Sequence, residues 1–311
     1  MSADEPLRRE LRRRMAGEVL FDEPAARHTS IGVGGKIDLL LFPENTGELK
    51  AVVSLLRERR VPFLPVGNWT NLIVRDGGYR GALLSLARIR VLRCRDEGEK
   101  GFLLSAGAGC PLAELVNRAI REAAAGLEFC AGIPGSVGGA VRMNAGAYGG
   151  EIGHVVESIA LLDVSGEIRD VARKELSFSY RNLDLPVESI IIGAAFRLRR
   201  GEAEKIAGRV REIIGLRREK HPLEYPNAGS IFKNPRECPA GRLIEAAGLK
   251  GHRIGDAQVS EKHGNFMVNR GAATATDLCR LIAAVQERVL IESGHALETE
   301  VKIIGEEPIR P

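Results

Sequence analysis

The chain has 311 residues, enough for two or three domains, and its 44% hydrophobic and 28% charged content is that of a globular protein with a real core. Forty-five basic residues against 41 acidic ones leave a formal charge of +4, too small an excess to point to a nucleic-acid partner. No apolar run approaches membrane-spanning length, and the polar start Met1-Ser-Ala-Asp-Glu5 does not resemble a secretory signal, so a cytoplasmic protein without a membrane partner is expected.

In chain order, Leu7, Leu11 and Met15 recur every fourth residue among Arg8, Arg9, Arg12, Arg13 and Arg14, which predicts a short amphipathic helix with a solvated basic face. Leu39 to Phe42 reads as a buried strand. Thr46 is placed to cap the following helix, whose apolar face is Leu49, Val52, Val53 and Leu56. Phe63 to Val66 is a second strand, followed by the polar turn Gly67-Asn-Trp-Thr-Asn71 and by Leu72 to Val74. This is a βαβ-like opening with a loop at a strand's carboxyl end. Residues 81–110 are strand-rich and close on Gly107-Ala-Gly109. Pro111 then starts a helix with Leu112, Leu115, Val116, Ala119 and Ile120 inward.

The segment from Gly132 to Glu151 is dense in glycine yet carries Arg142, Asn144 and Tyr148. Glycine costs backbone entropy, so such a loop fits a place where positive φ or close approach to a ligand is required, and bare N–H groups suit a diphosphate. Strands at Ser158 to Val164 and Ile190 to Leu198 flank a turn at Gly166. Composition shifts near residue 200. Glu202 to Arg218 is a charged helix with Ile206, Val210, Ile213 and Ile214 inward. The segment from His221 to Pro239 holds four prolines and is expected to be irregular. Thr274-Ala-Thr-Asp277 opens a helix facing Leu278, Leu281, Ile282, Val285 and Val289 to a core, Gly294 ends it, and Glu300 to Ile304 is the last strand.

Common nucleotide fingerprints are absent. Gly35-Lys36 is followed by Ile37 and preceded by Ser30 where a Walker loop needs glycine, and Gly107-Ala-Gly109 lacks the third glycine of a Rossmann turn. Three loops nevertheless suit a dinucleotide: Gly67 to Asn71, Gly107 to Gly109 and Gly132 to Gly150. A second dense constellation is Tyr225-Pro-Asn-Ala-Gly-Ser-Ile-Phe-Lys-Asn-Pro235. Ser230 is not in a nucleophile elbow, which disfavours hydrolase chemistry. Phe178-Ser-Tyr-Arg181 and Glu298-Thr-Glu300 are weaker signals, readable by themselves as a strand-end arginine and an edge charge. The five cysteines, Cys94, Cys110, Cys130, Cys238 and Cys279, form no C-x-x-C pair and the histidines no H-x-x-x-H pair. Free thiols and no metal are expected.

Taken together, His28-Thr-Ser-Ile-Gly-Val-Gly-Gly35, Gly67 to Asn71, the Gly132 to Glu151 loop, Ser179-Tyr-Arg181, Asn227 to Pro235 and Leu297-Glu-Thr-Glu-Val-Lys302 occur in an order that resembles the UDP-N-acetylenolpyruvoylglucosamine reductase family, over about residues 20 to 306. No long insertion follows Ser179-Tyr-Arg181, so the likeness is to the shorter second subtype. Trp69-Thr70 departs from the small residues common there, and His221 from the commoner glutamine.

The resemblance implies an α+β chain with a vanillyl-alcohol-oxidase-type (PCMH) FAD fold of two subdomains, about 20–85 and 86–200. A helical extension (1–19) precedes it and a substrate-binding domain (201–311) follows. It implies non-covalent FAD held by Gly67, Asn68, Trp69, Thr70, Asn71, Gly107, Gly132, Pro134, Gly135, Ser136, Gly138, Gly139, Asn144, Gly146 and Tyr148. Arg181, Ser230 and Glu300 would be catalytic, and Lys220, Lys233, Asn234 and His263 substrate contacts. NADPH would be the reductant and a UDP-sugar enolpyruvyl ether the substrate of a monomer with no nucleic-acid partner. Two other readings are another FAD oxidoreductase of this fold and a nonenzymatic nucleotide or RNA binder using Arg8 to Arg14.

Overall fold

A computed structural model describes residues 5–308; the start Met1–Asp4 and the last three residues of the expected third domain lie outside them. In chain order, the first half holds α1 (Glu5–Arg14), β1 (Glu18–Pro24), β2 (Lys36–Phe42), α2 (Thr46–Glu58), β3 (Phe63–Val66), β4 (Leu72–Val74), β5 (Tyr79–Ser85), β6 (Leu92–Asp96), β7 (Phe102–Gly107), α3 (Leu112–Arg121) and β8 (Ala124–Ala125). There follow α4 (Val137–Arg142), β9 (Gly146–Ala147), β10 (Gly150–Glu151), β11 (Val156–Leu162), β12 (Ile168–Ala172), β13 (Ser177–Ser179), β14 (Asn182–Asp184), β15 (Ile190–Arg200) and α5 (Ala203–Lys220). The last third holds β16 (Asn227–Ser230), α6 (Ala240–Ala246), β17 (Arg253–Ile254), β18 (Ala257–Val259), β19 (Phe266–Asn269), α7 (Ala275–Ser293) and β20 (Lys302–Ile304).

These elements form two compact units that interleave along the chain. The first takes the chain up to Leu20, Leu39–Asn68 and Gly81–Arg217; the second takes Phe21–Asp38, Trp69–Arg80 and the chain from Arg218.

In the first unit, β12, β11, β15, β7 and β6 lie in that order in an antiparallel sheet, and β8 adds to the far end of β15. The central β15 opens on Ile190-Ile-Ile192, β-branched residues that fit a pleated surface buried on both faces. Phe196, Leu104, Ile159, Val137, Val141 and Ile213 share its core. A four-stranded sheet has the order β1, β2, β5 and β3, and within the first unit β3 runs parallel to β5 from Phe63 opposite Ala82 to Val66 opposite Ser85. The expected apolar faces of α1 and α2 are both buried: Leu7, Leu11 and Met15 on one, Leu49, Val52, Val53 and Leu56 on the other.

The cap of α2 is a correction. Asn45, not Thr46, accepts the Glu48 N–H (3.0 Å), and Thr46 is already helical. Two adjacent residues with capping side chains compete here, and the one whose oxygen reaches the third N–H of the helix is Asn45. The Gly132 to Glu151 loop also differs from expectation in containing the six-residue helix α4, which packs on β15 and β7.

In the second unit, β16, β19, β18 and β17 form an antiparallel sheet, and β4 pairs in parallel with β20 from Leu72 opposite Lys302 to Val74 opposite Ile304. Helix α7 covers β17 and β18 with the residues its periodicity predicts, Leu278, Leu281, Ile282, Val285 and Val289. Its ends are as expected: Thr274 and Asp277 form a reciprocal capping box, and Gly294 adopts the left-handed conformation (φ 71°) that a side chain would resist. Asp76 adds a cap from a distant turn, accepting from Ala275 N (3.0 Å), Thr276 N (2.8 Å) and the Thr276 hydroxyl (2.6 Å). The segment from His221 to Pro239 is less irregular than expected, since β16 runs through it.

All five cysteines are free thiols. Burial pushes Cys110 up to about 11 and Cys130 up to about 12, which keeps both protonated and unreactive. No helix among the described residues is long and apolar enough to cross a membrane.

Candidate active site

Three glycine loops separated in sequence come together in the first unit. Gly138 N donates to Ala108 O (2.9 Å), Val137 N to Cys110 O (2.9 Å) and Leu112 N to Gly135 O (3.0 Å), so the Gly107 to Gly109 turn is zipped along the Gly132 to Gly139 loop. Gly67 lies against the same loop: a Cβ built on it would stand 2.3 Å from Ser136 Oγ. A Cβ on Gly138 would meet that of Ala108 at 2.8 Å, and one on Gly107 would meet Ile89 O at 2.3 Å. Glycine is therefore required here by close backbone approach. Ser136 is buried, and its hydroxyl oxygen has no hydrogen-bond partner within the protein. A buried hydroxyl without a partner costs free energy unless a ligand completes it.

Arg181 is held by two other expected residues of this unit, Gly146 directly and Asn144 through the strand before it. It occupies the two-residue turn between β13 and β14 with φ 57°, and its Nη1 donates to Gly146 O (2.8 Å). Asn144 is buried and spans the same region, donating from Nδ2 to Ser179 O (2.9 Å) while Oδ1 accepts from Gly153 N (2.9 Å). Its amide thus fixes the strand that leads into Arg181. Tyr148 is exposed, with the Arg217 guanidinium 5.3 Å from its ring centre. Gly132 supports that arginine, since a Cβ there would stand 2.8 Å from Arg217 Cδ. Pro134 and Gly139 are on the exposed side of the loop. Among the described residues, eight non-glycines have positive φ, and four of them are expected site residues: Trp69, Asn144, Tyr148 and Arg181. Each such residue costs of order 1–3 kcal/mol and persists only where its surroundings enforce it, a pattern that clusters at functional sites.

In the second unit the Ser230 and Glu300 segments are neighbours. Glu300 N donates to Ile231 O (2.7 Å), Lys233 N to Glu298 O (2.9 Å), and Phe232 pairs with Thr299 as an isolated antiparallel bridge. Asn71 joins them, its Nδ2 donating to Glu300 O (3.1 Å) and its carbonyl accepting from Lys302 N (3.1 Å). Trp69 is buried beside the His28 ring (5.4 Å between centroids), and its carbonyl accepts from Ser30 N. The bulky residue at this departure from the family pattern is therefore packed inward. Thr70 between them is half-buried.

Ser230 lines a cavity of about 290 Å³ with Asn234, Arg242, Lys262, His263 and Asn265 among its walls. The Gly241–Gly264 approach forms one side, a Cβ on Gly264 reaching Gly241 O at 2.6 Å. Asn227 folds the proline-rich approach, donating to Tyr225 O (2.9 Å) and accepting from Gly229 N (3.0 Å). Asn234 accepts from Ala240 N (3.0 Å) at the start of α6. His263 accepts from Asn265 N at Nδ1 (3.1 Å), and burial pushes its pKa below the usual imidazole value. It is thus neutral near pH 7, a donor or acceptor of hydrogen bonds rather than a charge. Lys233 does not line this cavity; its ammonium pairs with Glu298. Lys220 is exposed at the end of α5.

Sequence reasoning missed Asn265, Arg242, Lys262 and Arg217. Asn265 had a weak signal in the Gly264-Asn265 turn before a strand. Arg217 had a stronger one: Val210, Ile213, Ile214 and Arg217 follow i, i+3, i+4, i+7, which puts a charge on the apolar stripe of α5. Arg242 and Lys262 carry no pattern of their own. No cluster of three or more His, Cys, Asp or Glu that could hold a metal occurs among the described residues.

The chain has clear relatives. Residues 221–304 match the model of the UDP-N-acetylenolpyruvoylglucosamine reductase C-terminal domain, and residues 37–172 match an FAD binding domain. The α+β flavoprotein fold expected from the sequence is thereby borne out. The chain is 51% identical over 301 residues to the UDP-N-acetylenolpyruvoylglucosamine reductase of Syntrophus aciditrophicus, covering 97% of this chain and 96% of that one. It is 46% identical over 291 residues to that of Pediococcus pentosaceus, covering 93% and 95%. Among solved structures it is similar to UDP-N-acetylenolpyruvylglucosamine reductase (MurB) from Thermus caldophilus, with a TM-score of 0.78, 35% identity, and coverage of 93% of this chain and 99% of that one. Identity at this level along nearly the whole length places the chain in the UDP-N-acetylenolpyruvoylglucosamine reductase family.

Proposed function

We propose that the protein reduces the enolpyruvyl ether of UDP-N-acetylglucosamine to UDP-N-acetylmuramate, a step of peptidoglycan precursor synthesis, using non-covalently bound FAD and NADPH. The observation that carries this reading is the joining of the Ser230 and Glu300 segments beside a polar cavity, in a chain whose other unit holds a glycine-walled cradle. The residues present fit FAD: Gly67, Gly107, Gly135, Gly138 and the partnerless Ser136 hydroxyl would hold its phosphates, with Asn68, Trp69, Thr70, Asn71, Gly132, Pro134, Gly139, Gly146 and Tyr148 as further contacts. When bound, FAD would supply the redox chemistry, a two-electron transfer from NADPH to the terminal carbon of the enolpyruvyl double bond.

The chain's own residues then manage charge and one proton. Negative charge builds on the carbon next to the attacked one and spreads onto the substrate carboxylate. Arg181 is suited to stabilise it, being a permanent cation with a planar donor fork, held in place by Gly146 and by a strained backbone. Ser230 gives its proton to that carbon. A serine is a weak acid in water, but an enolate is a strong base, so the transfer works once geometry is fixed. Glu300, anchored through its backbone to Ile231 and Asn71, orients the carboxylate region or assists the protonation. Asn234 and His263 line the cavity with Ser230 and are assigned as substrate contacts; Lys220 and Lys233 keep that assignment by resemblance.

We also infer the domain limits 1–19, 20–200 and 201–311, a monomeric state, a cytoplasmic location and no nucleic-acid partner. The family-model matches support the limits. On the basic face of α1, Arg14 is already engaged in an ion pair with Glu10, which leaves less of it to hold RNA. The test is optical. The purified full chain should be yellow, bleach anaerobically with NADPH, and regain colour when the enolpyruvyl nucleotide is added. A bleached protein that this nucleotide leaves unchanged would point to another oxidoreductase of the fold.

A further inference from the structure

Arg217 stands out as an unused charge. It sits on the apolar stripe of α5, one turn beyond the core residues Ile213 and Ile214, and its Nε is fully buried without a hydrogen-bond partner. Its neighbours are the Tyr148 ring, Gly132, Cys130 and a second cation, Arg181; none of these is a carboxylate. Burial, with the nearby charge of Arg181, pushes the guanidinium below its ordinary value, the mark of a cation that the protein leaves uncompensated. Removing a charge from water without a counter-ion is costly, and such a site is kept where a ligand supplies the missing charge. A face of Tyr148 open to solvent lies beside it. A group that arrives and leaves in each turnover needs the open position.

We propose that Arg217 binds a phosphate of a nucleotide substrate, with Tyr148 packed against its guanidinium to hold the fork in place. This rests on the function proposed above, in which two phosphate-bearing substrates, NADPH and the UDP-sugar, use the enzyme in turn. Arg217 is a binding residue and takes no proton.

The test uses the flavin-loaded full chain and the variant Arg217→Met, which keeps length and apolar packing but loses charge and donors. The Kd of NADPH is read from the concentration dependence of anaerobic flavin bleaching, and that of the UDP-sugar from its perturbation of the flavin spectrum. A hydrogen bond between charged partners predicts a loss of about 10- to 100-fold for one of the two nucleotides, and which one weakens identifies the source of the phosphate. Melting without added substrate should stay at or above the wild-type temperature, because the variant removes an uncompensated charge; a purely structural arginine would lower it. Should Arg217→Met not fold, Arg217→Lys, which retains charge without the fork, is titrated in its place and should still weaken one nucleotide by several fold. The inference is overturned if both affinities stay within threefold of wild type, if only flavin content falls, or if the melting temperature drops. Failure of the wild-type enzyme to reoxidise with the UDP-sugar would instead remove the functional reading on which it rests.

Discussion

Replacing Asn265 by alanine should unfix the backbone that carries Ser230. The Asn265 amide is bonded at both ends to one peptide residue: Phe232 N–H donates to Oδ1 (2.9 Å), and Nδ2 donates to Phe232 O (2.8 Å). Both residues are buried. Truncation leaves two backbone groups without partners, at about 1–3 kcal/mol each, or about 2–6 kcal/mol in all. Asn265 also lines the cavity, so water can reach part of the vacated space, and the lower end of that range, about 2–3 kcal/mol, is expected. Equilibrium urea unfolding followed by circular dichroism reads this as a lower midpoint at unchanged slope. Asn265→Asp, which keeps an acceptor for Phe232 N–H but sets a buried carboxylate against Phe232 O, should lose at least as much. A loss below about 0.5 kcal/mol for Asn265→Ala would refute the reasoning, because two orphaned buried groups cannot cost so little.

Two further outcomes follow from other parts of the structure. Gly67→Ala places a methyl group 2.3 Å from Ser136 Oγ, so the cradle must shift and bound flavin per chain should fall below about half of wild type. Ser136→Gly by itself removes a hydroxyl assigned to the cofactor and should lower flavin content as well, and full flavin content in either variant would show that the two loops do not hold the cofactor. Burial holds His263 below the ordinary imidazole value of 6.5, so the unfolded chain takes up its proton first as pH falls. The stability this gives is complete above about pH 6.5 and is lost as pH drops through the folded-state value. His263→Gln should therefore flatten the acid side of the urea-midpoint profile, and profiles that stay parallel would contradict the assignment.

How far the sequence could be read depended on whether a feature was local. Helix α7 was fully legible, since periodicity, capping box and Gly294 all act within a few residues. The cap of α2 was misplaced by one residue because Asn45 and Thr46 both carry capping side chains, and only geometry selects between them. Helix α4 was hidden because Val137-Gly-Gly-Ala140 has poor helix propensity, and its packing against β15 stabilises it instead. The three glycine loops were each visible, but nothing local brings Gly67 to Ser136 or Ala108 to Gly138. Arg217 was passed over within the charged helix Glu202 to Arg218, although its place on the apolar stripe was already written in the spacing. Ser230 and Glu300 are seventy residues apart in sequence, and a backbone bridge at Ile231 is what brings their segments together.

In the proposed reaction Ser230 protonates the carbanion left by hydride addition and has no part in the transfer from NADPH. Rapid-mixing absorbance on Ser230→Ala separates the two half-reactions. Flavin bleaching by NADPH should proceed at the wild-type rate, while recovery of colour with the enolpyruvyl nucleotide slows by about 10²–10⁴. Equal slowing of both steps, or wild-type recovery, would contradict it.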